Sequence, residues 1–333
     1  MIINKKVLEE QIISFNKNMT ALADKLGHKN PDKESQKMIN TWIMSLTNLC
    51  SDIETSGIGK ENLDKVIVEF RAKTHNWFLK SPCIRRSYEK PRGYAGDYEI
   101  IDWIYRNIPS GEGIGFGFDS YFLSTPGSKA MRSRKKLCVE EISKILIGKC
   151  KKLEKVGLLD LGCGPSRDIL EIAESLPLNS NVEYLLIDQD EEALKYSQKV
   201  LAGHKEKIKY KKLNLLRVVA GEKYVAKRYG KYDLIMCIGL YDYMKEEDSI
   251  KLTRSIYSML NNGGVAVISN WDVSNPSRAE LEWVCDWYLF HRSEEDMKKI
   301  AHDAGIQKSE LRITKETTGH FNIMFLTKSE KHE

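Results

Sequence analysis

From Val156 onward, short runs rich in leucine and β-branched residues alternate with amphipathic helical stretches. That alternation commits this part of the chain to a parallel sheet covered by helices on both faces. The apolar runs fall near 156–161, 182–188, 207–213, 231–238 and 263–269, and the helical periodicities near 166–176, 191–202, 216–228, 246–260 and 277–289. After a further helix near 294–304, strands near 309–315 and 320–327 meet at the short turn Thr317-Thr318-Gly319. This spacing predicts an antiparallel hairpin at the edge of the sheet, so the expected fold class is a doubly wound α/β sheet of seven strands.

The preceding residues follow a different pattern. Leu8, Ile12, Phe15, Met19, Leu22 and Leu26 recur at helical spacing. Met38, Ile39, Trp42, Ile43, Leu46, Leu49 and Ile53 do the same, and a third stretch runs from Leu63 to Trp77. The expected organisation is a helical domain over 1–80, a glycine- and aromatic-rich lid segment with a connecting basic helix over 81–150, and the α/β domain over 151–333. Within the middle segment, helices are expected at Tyr98–Arg106 and from about Ser128 to Leu146. Gly111, Gly113, Gly115 and Gly117 follow no strand and are read as a mobile lid or a plain connector.

No apolar run reaches the ~18 residues needed to span a bilayer, and Met1 to Lys6 leads into no signal-peptide core. A cytoplasmic location is therefore expected. Seven widely spaced cysteines with no Cys-x-x-Cys pair imply reduced thiols and no metal site. The net charge of +5 divides into +6 over residues 1–150 (24 basic, 18 acidic) and −1 over the rest (28 basic, 29 acidic). The basic groups Arg85, Arg86, Lys90, Arg92 and Arg132, Arg134, Lys135, Lys136 suit an anionic ligand or simply a solvated face. They belong to no known nucleic-acid-binding module, so no nucleic-acid partner is expected.

The strand ending at Leu161 runs into Gly162-Cys163-Gly164-Pro165-Ser166, where glycine lets the chain turn sharply and a ligand approach the backbone. A dinucleotide fingerprint would need a third glycine at position 167, which is Arg167, and Pro165 lacks an amide for a pyrophosphate. Asp160 puts a carboxylate at the strand end, suited to an ammonium group. Asp188 ends the next strand, suited to the two hydroxyls of a ribose, while Asp190 reads as a helix cap. Asn214, after the third strand, is either an amide for an adenine edge or a turn residue.

Together these features resemble the class I S-adenosylmethionine-dependent methyltransferases, over residues 156–327. The resemblance implies a Rossmann-like sheet with a reversed seventh strand and S-adenosylmethionine as cofactor. It implies that Asp160, Gly162 and Gly164 surround the methionine part, that Asp188 holds the ribose and that Asn214 and Leu215 lie by the adenine. Ser166 stands where a third glycine is frequent. Gly239 joins the cofactor candidates, as does Arg134, whose alternative is an exposed ion pair.

Longer segments are similar to one bacterial subfamily, associated with forming the methyl ester of 3-hydroxypalmitic acid. They are Lys90-Pro91-Arg92-Gly93-Tyr94-Ala95-Gly96-Asp97-Tyr98-Glu99, Gly239-Leu240-Tyr241-Asp242-Tyr243, Asn270-Trp271-Asp272 with Asn275-Pro276-Ser277-Arg278, and Glu282 to Tyr288 with His291-Arg292. The expected acceptor is a small molecule, first of all the carboxylate of a 3-hydroxy fatty acid. Such a carboxylate is already ionised at neutral pH and needs placement rather than a strong base. Arg92, Tyr94 and Tyr243 are the candidates at the reacting centre, Arg292 is a second guanidinium for the carboxylate, and Tyr241, Trp271 and Trp287 could line an apolar pocket. Trp283 and Trp287, four apart, also fit one core face of a helix. His291 and His320 are the histidines available as a base for a hydroxyl or amine acceptor, and N- or O-methylation of another metabolite stays open. A homodimer is a further possibility.

Overall fold

The computed structural model describes residues 2–177, 180–215 and 225–330. The chain forms two compact units, Met1–Lys129 with Pro276–Tyr288, and Ala130–Asn275 with Leu289–Glu333.

The first unit is helical. It contains α1 (Ile2–Leu26), α2 (Lys33–Thr55), α3 (Lys60–Phe78), α4 (Pro82–Glu89), α5 (Tyr98–Arg106) and α6 (Gly113–Ser124), and α7 (Pro126–Cys150) begins in it. The apolar stripes of α1 and α2 are buried, including Leu8, Ile12, Phe15, Met19, Ile39 and Ile43, whereas Met38 is exposed. Phe15 stacks on Phe78 at 5.7 Å, and Phe118 meets Phe78 edge-on at 5.4 Å. Caps set where these helices start: Asp32 accepts from the Ser35 amide, Ser81 from Ile84, and Asp97 from Glu99 and Ile100.

The glycine series at 111–117 is not a lid or a connector, because Gly113, Gly115 and Gly117 lie buried in α6. A Cβ on Gly115 would sit 2.6 Å from the Lys80 carbonyl oxygen, and one on Gly117 would sit 2.5 Å from Ile39 Cδ1. Bare backbone is what lets this helix pack so closely against its neighbours.

The second unit is the sheet. Its strands are β1 (Val156–Leu161), β2 (Val182–Asp188), β3 (Ile208–Lys212), β4 (Tyr232–Cys237), β5 (Leu260–Trp271), β6 (Leu311–Lys315) and β7 (Phe321–Thr327). The order across the sheet is β3-β2-β1-β4-β5-β7-β6. The first five strands are parallel, and β7 runs antiparallel to both β5 and β6. The expected seven-stranded architecture and terminal hairpin are present. Glu316, 3% exposed, organises the hairpin turn by accepting from the amides of Thr318, His320 and Phe321.

Helices α8 (Arg167–Ser175), α9 (Glu191–Val200), α10 (Val225–Tyr229), α11 (Glu246–Ser258) and α13 (Glu294–Asp303) accompany the sheet, and α12 (Arg278–Cys285) belongs to the helical unit. Of the helix expected over 216–228, residues 216–224 lie outside the described residues. The helix expected over 277–289 ends at Cys285 because Asp286 takes left-handed backbone angles, φ 52° and ψ 38°. Leu159, Leu161, Ile235, Leu252, Ile256 and Ile268 are central to the core around the sheet.

Strand order reverses between β1 and β4, since β2 and β3 follow on one side and β5 on the other. In a doubly wound sheet the crevice beyond the carboxyl ends of the strands at this reversal is where ligands bind.

Candidate active site

The loop after β1 occupies that crevice. Gly162 (φ 81°) and Gly164 (φ 49°) are left-handed, and so is Ser166 (φ 54°), which stands in for a third glycine. Ser166 is fully buried and its hydroxyl accepts from Ser197 at 2.7 Å, a contact within the unit that holds the unusual backbone. A Cβ on Gly164 would meet nothing within 4 Å, and one on Gly162 would come no closer than 3.7 Å, to Leu215 Cδ1. The loop therefore faces open space, and its glycines serve the turn rather than packing.

Three buried carboxylates surround the loop. Asp160, Asp168 and Asp188 are 2%, 9% and 7% exposed. Burial drives the Asp160 pKa well above the ordinary carboxylate range, and the neighbouring Asp168 and Asp188 push it further. Burial also raises Asp168, against the Ile169 amide and Arg134, which lower it. Asp188 is raised by burial while its oxygens accept from Gly164 N at 3.0 Å and Asp190 N at 2.9 Å. So much buried acid with one nearby guanidinium favours a ligand that brings positive charge. Among the described residues no group of three His, Cys, Asp or Glu side chains is arranged to hold a metal ion, which leaves an organic cation as the suited guest.

Arg134 is the guanidinium concerned. Its side chain is 3% exposed, which removes the exposed ion-pair alternative. Its Nη1 lies 3.9 Å from Asp242 Oδ2, and its Cζ lies 4.4 Å over the Phe321 ring. Gly239 (φ 84°) passes beside it, and a Cβ there would sit 3.3 Å from Nη1. Asp242 accepts from the Trp271 amide at 2.7 Å. Burial pushes its pKa up to about 6, with Arg134 pulling the other way.

The structure thus brings Asp160, Gly162, Gly164, Asp188, Gly239 and Arg134 to the carboxyl ends of β1, β2 and β4, with Leu215 against Gly162 and Asn214 exposed beside Leu215. Asp190 accepts from Glu192 N and caps α9. Sequence reading missed Asp168 and Asp242. The first was hidden in an amphipathic helix start and the second inside the segment 239–243, whose tyrosines drew the attention.

Other candidates are placed differently. Tyr241 is fully buried with its hydroxyl 2.9 Å from Thr253 Oγ1, so it is a core residue rather than a pocket wall. Arg292, 6% exposed, donates to the carbonyls of Tyr241 (2.8 Å) and Met244 (2.5 Å) and to Asn270 Oδ1 (2.5 Å). It is a structural clamp with no donors left for a bidentate acceptor contact. Trp271 is buried at the end of β5 against Phe321, with ring centroids 3.8 Å apart, while Tyr243 is 39% exposed. Arg92, exposed, and Tyr94, half-buried, belong to the helical unit. So does Trp287, which follows α12 instead of sharing its face with Trp283. Trp283 is a core residue there, with Nε1 donating to Glu54 at 2.7 Å. His291 is held by Asn275 and the Leu289 carbonyl, and His320 is 3.4 Å from Ser274 Oγ. All seven cysteines are free thiols.

Comparison with known proteins agrees with this geometry. A family model described as a methyltransferase domain matches residues 152–320. An uncharacterized protein of Rickettsia prowazekii is 29% identical over 166 residues, which are 48% of this chain; the chain spans 58% of that relative's length. The crystal structure of a possible exported protein from Bordetella parapertussis superposes with a TM-score of 0.56 at 19% identity, covering 70% of this chain and 80% of that one. That of magnesium protoporphyrin IX methyltransferase from Synechocystis PCC 6803 with bound SAM gives 0.43 at 16% identity, covering 61% and 83%. With the family match spanning half the chain, and with the strand order, reversed seventh strand and acid-lined glycine loop in place, the chain belongs to the methyltransferase domain family, in its class I S-adenosylmethionine-dependent form.

Proposed function

We propose that the chain transfers a methyl group from S-adenosylmethionine to a small-molecule acceptor, and that the acceptor is the carboxylate of a 3-hydroxy fatty acid. The observation that carries the cofactor part is the buried acidic cradle at the point where the strand order reverses. Asp188 would hold the ribose hydroxyls with the lone pairs left over from Gly164 and Asp190. Asp160 and Asp168 would face the ammonium, and Arg134 would face the carboxylate of the methionine part. The cofactor supplies an electrophilic methyl on a sulfonium. The work of the protein is then to fix that methyl in line with an acceptor oxygen and exclude water.

The acceptor part rests on the segments resembling the 3-hydroxypalmitate methyl ester subfamily. Exposed apolar side chains at the carboxyl edge of the sheet also support it: Tyr243, Val273 and Phe290 are 39%, 60% and 46% exposed. Phe290 N donates to the Asp242 carbonyl and Trp271 N to the Asp242 carboxylate, which ties the three positions to one junction. Arg92, Tyr94 and Tyr243 are the residues proposed to engage the acceptor, since Arg292 is committed elsewhere. Purified protein given methyl-labelled S-adenosylmethionine and a series of 3-hydroxy fatty acids should yield extractable labelled methyl esters. No ester at any chain length, together with labelling of an amine or phenol, would overturn the carboxylate reading.

A further inference from the structure

The sheet unit looks neutral only on average. Residues 195–215 and 225–231 together carry ten Lys or Arg and a single acid, Glu206, a net charge of +9. Against +5 for the whole chain, the remaining residues sum to −4. A ratio of ten to one, where the chain as a whole has 52 basic to 47 acidic residues, is segregation rather than composition.

The fold gathers these charges on one edge. Strand β3 is the outermost strand, and Lys209, Lys211 and Lys212 on it are exposed. Lys205 and Lys207, also exposed, lead into it. Lys195 and Lys199 are exposed on α9, which packs beside β3. On the other flank, exposed Lys227 and Arg228 sit on α10 with Lys231 just after it. Tyr229 joins the flanks, since Lys211 Nζ lies 4.7 Å and Arg228 Cζ 5.6 Å over its ring. Ion pairing takes up only part of the charge, with Lys195 and Lys212 meeting Glu191 and Glu192.

Lysines on an edge strand also discourage strand-to-strand aggregation. That accounts for β3 but not for the cations on α9 and α10, which have no open strand edge to protect. Nine of the ten cations are lysines, point charges lacking the fork with which arginine grips single phosphates. The two tyrosines here, Tyr210 and Tyr229, are half-buried, so no ring stands out for a base to stack on. Diffuse lysine charge without base-reading or stacking groups is complementary to a sheet of anionic headgroups. We propose that the β3 edge adsorbs the protein to an anionic lipid surface, peripherally and reversibly by salt.

The test is flotation of the full chain with phosphatidylcholine vesicles, with and without roughly a third of phosphatidylglycerol. Binding is expected only to the anionic vesicles at about 50 mM salt and is expected to collapse by about 200 mM. At roughly five-fold per lysine, the variant Lys205→Gln/Lys209→Gln/Lys227→Gln should bind on the order of 100-fold more weakly. These side chains are exposed, so circular dichroism should be unchanged. Lys29→Gln/Lys37→Gln/Lys60→Gln, equally exposed but in the helical unit, changes net charge by the same amount and should bind as wild type. Absence of binding to anionic vesicles at low salt would overturn the proposal and leave edge protection as the role of these lysines. An equal loss in the control variant, or tighter binding to labelled RNA than to vesicles, would overturn it as well.

Discussion

Asp188→Ala probes the cofactor site most directly. In the structure one carboxylate oxygen accepts from Gly164 N at 3.0 Å and the other from Asp190 N at 2.9 Å. Each oxygen keeps acceptor capacity for one ribose hydroxyl. A hydrogen bond to a charged group contributes about 1.5 kcal/mol net, so losing two costs about 3 kcal/mol. Cofactor affinity should fall by about 150-fold. Asn at 188 keeps one acceptor oxygen and should lose about ten-fold. Isothermal titration with S-adenosylmethionine and with S-adenosylhomocysteine measures both. Asp190→Ala is the matched control: its side chain caps α9 through Glu192 N, so the variant should lose about 1 kcal/mol of stability and no affinity. Wild-type affinity in Asp188→Ala, or an equal loss in Asp190→Ala, would refute the assignment of the ribose to Asp188.

Two more predictions concern buried charge. Arg292→Met leaves the Tyr241 and Met244 carbonyls and Asn270 Oδ1 without their donor, and should lower stability to urea by about 3 kcal/mol with cofactor affinity intact. Undiminished stability with lost turnover would return Arg292 to the acceptor. Glu280, 6% exposed and with Oε1 lacking a hydrogen-bond partner among the described residues, has its pKa pushed by burial from 4.5 up to about 8. The folded state therefore binds this proton more tightly than the unfolded chain. Its stability should fall as pH rises from 4.5 to about 8, by about 1 kcal/mol per pH unit, and level off above that. Urea titrations of wild type and Glu280→Gln across this range should show the slope only in wild type, and parallel curves would discard the assignment.

The architecture of the sheet unit was legible because it is written in short-range pattern. A parallel strand buried on both faces must be a run such as Val156–Leu161, and the helix after it must show an apolar stripe. The acids at strand ends were legible for the same reason, as Asp160 and Asp188 follow directly from where β1 and β2 stop. Boundaries failed where a single backbone angle decided them, as with Asp286 ending α12 before Trp287. The glycines at 113, 115 and 117 misled because glycine's local preference is for turns, while here the gain comes from close packing against Lys80 and Ile39, far away in sequence.

By itself, the sequence determined the α/β class, the order of its elements, the glycine loop and, through resemblance, the cofactor. Tertiary structure alone decided which polar side chains serve the site and which serve the scaffold. Arg134 and Arg292 are equally plausible as anion ligands on paper, and both are buried. One lies beside the acid-lined crevice and the other has its donors on Tyr241, Met244 and Asn270, because a guanidinium buried in a protein is claimed by whatever acceptors the fold brings within about 3 Å. Those acceptors come from residues some 20 to 50 positions away, a separation that no local pattern encodes. The lysine edge shows the same division. Its charges are plain in the sequence, but they became one surface only when β3 proved to be the outer strand.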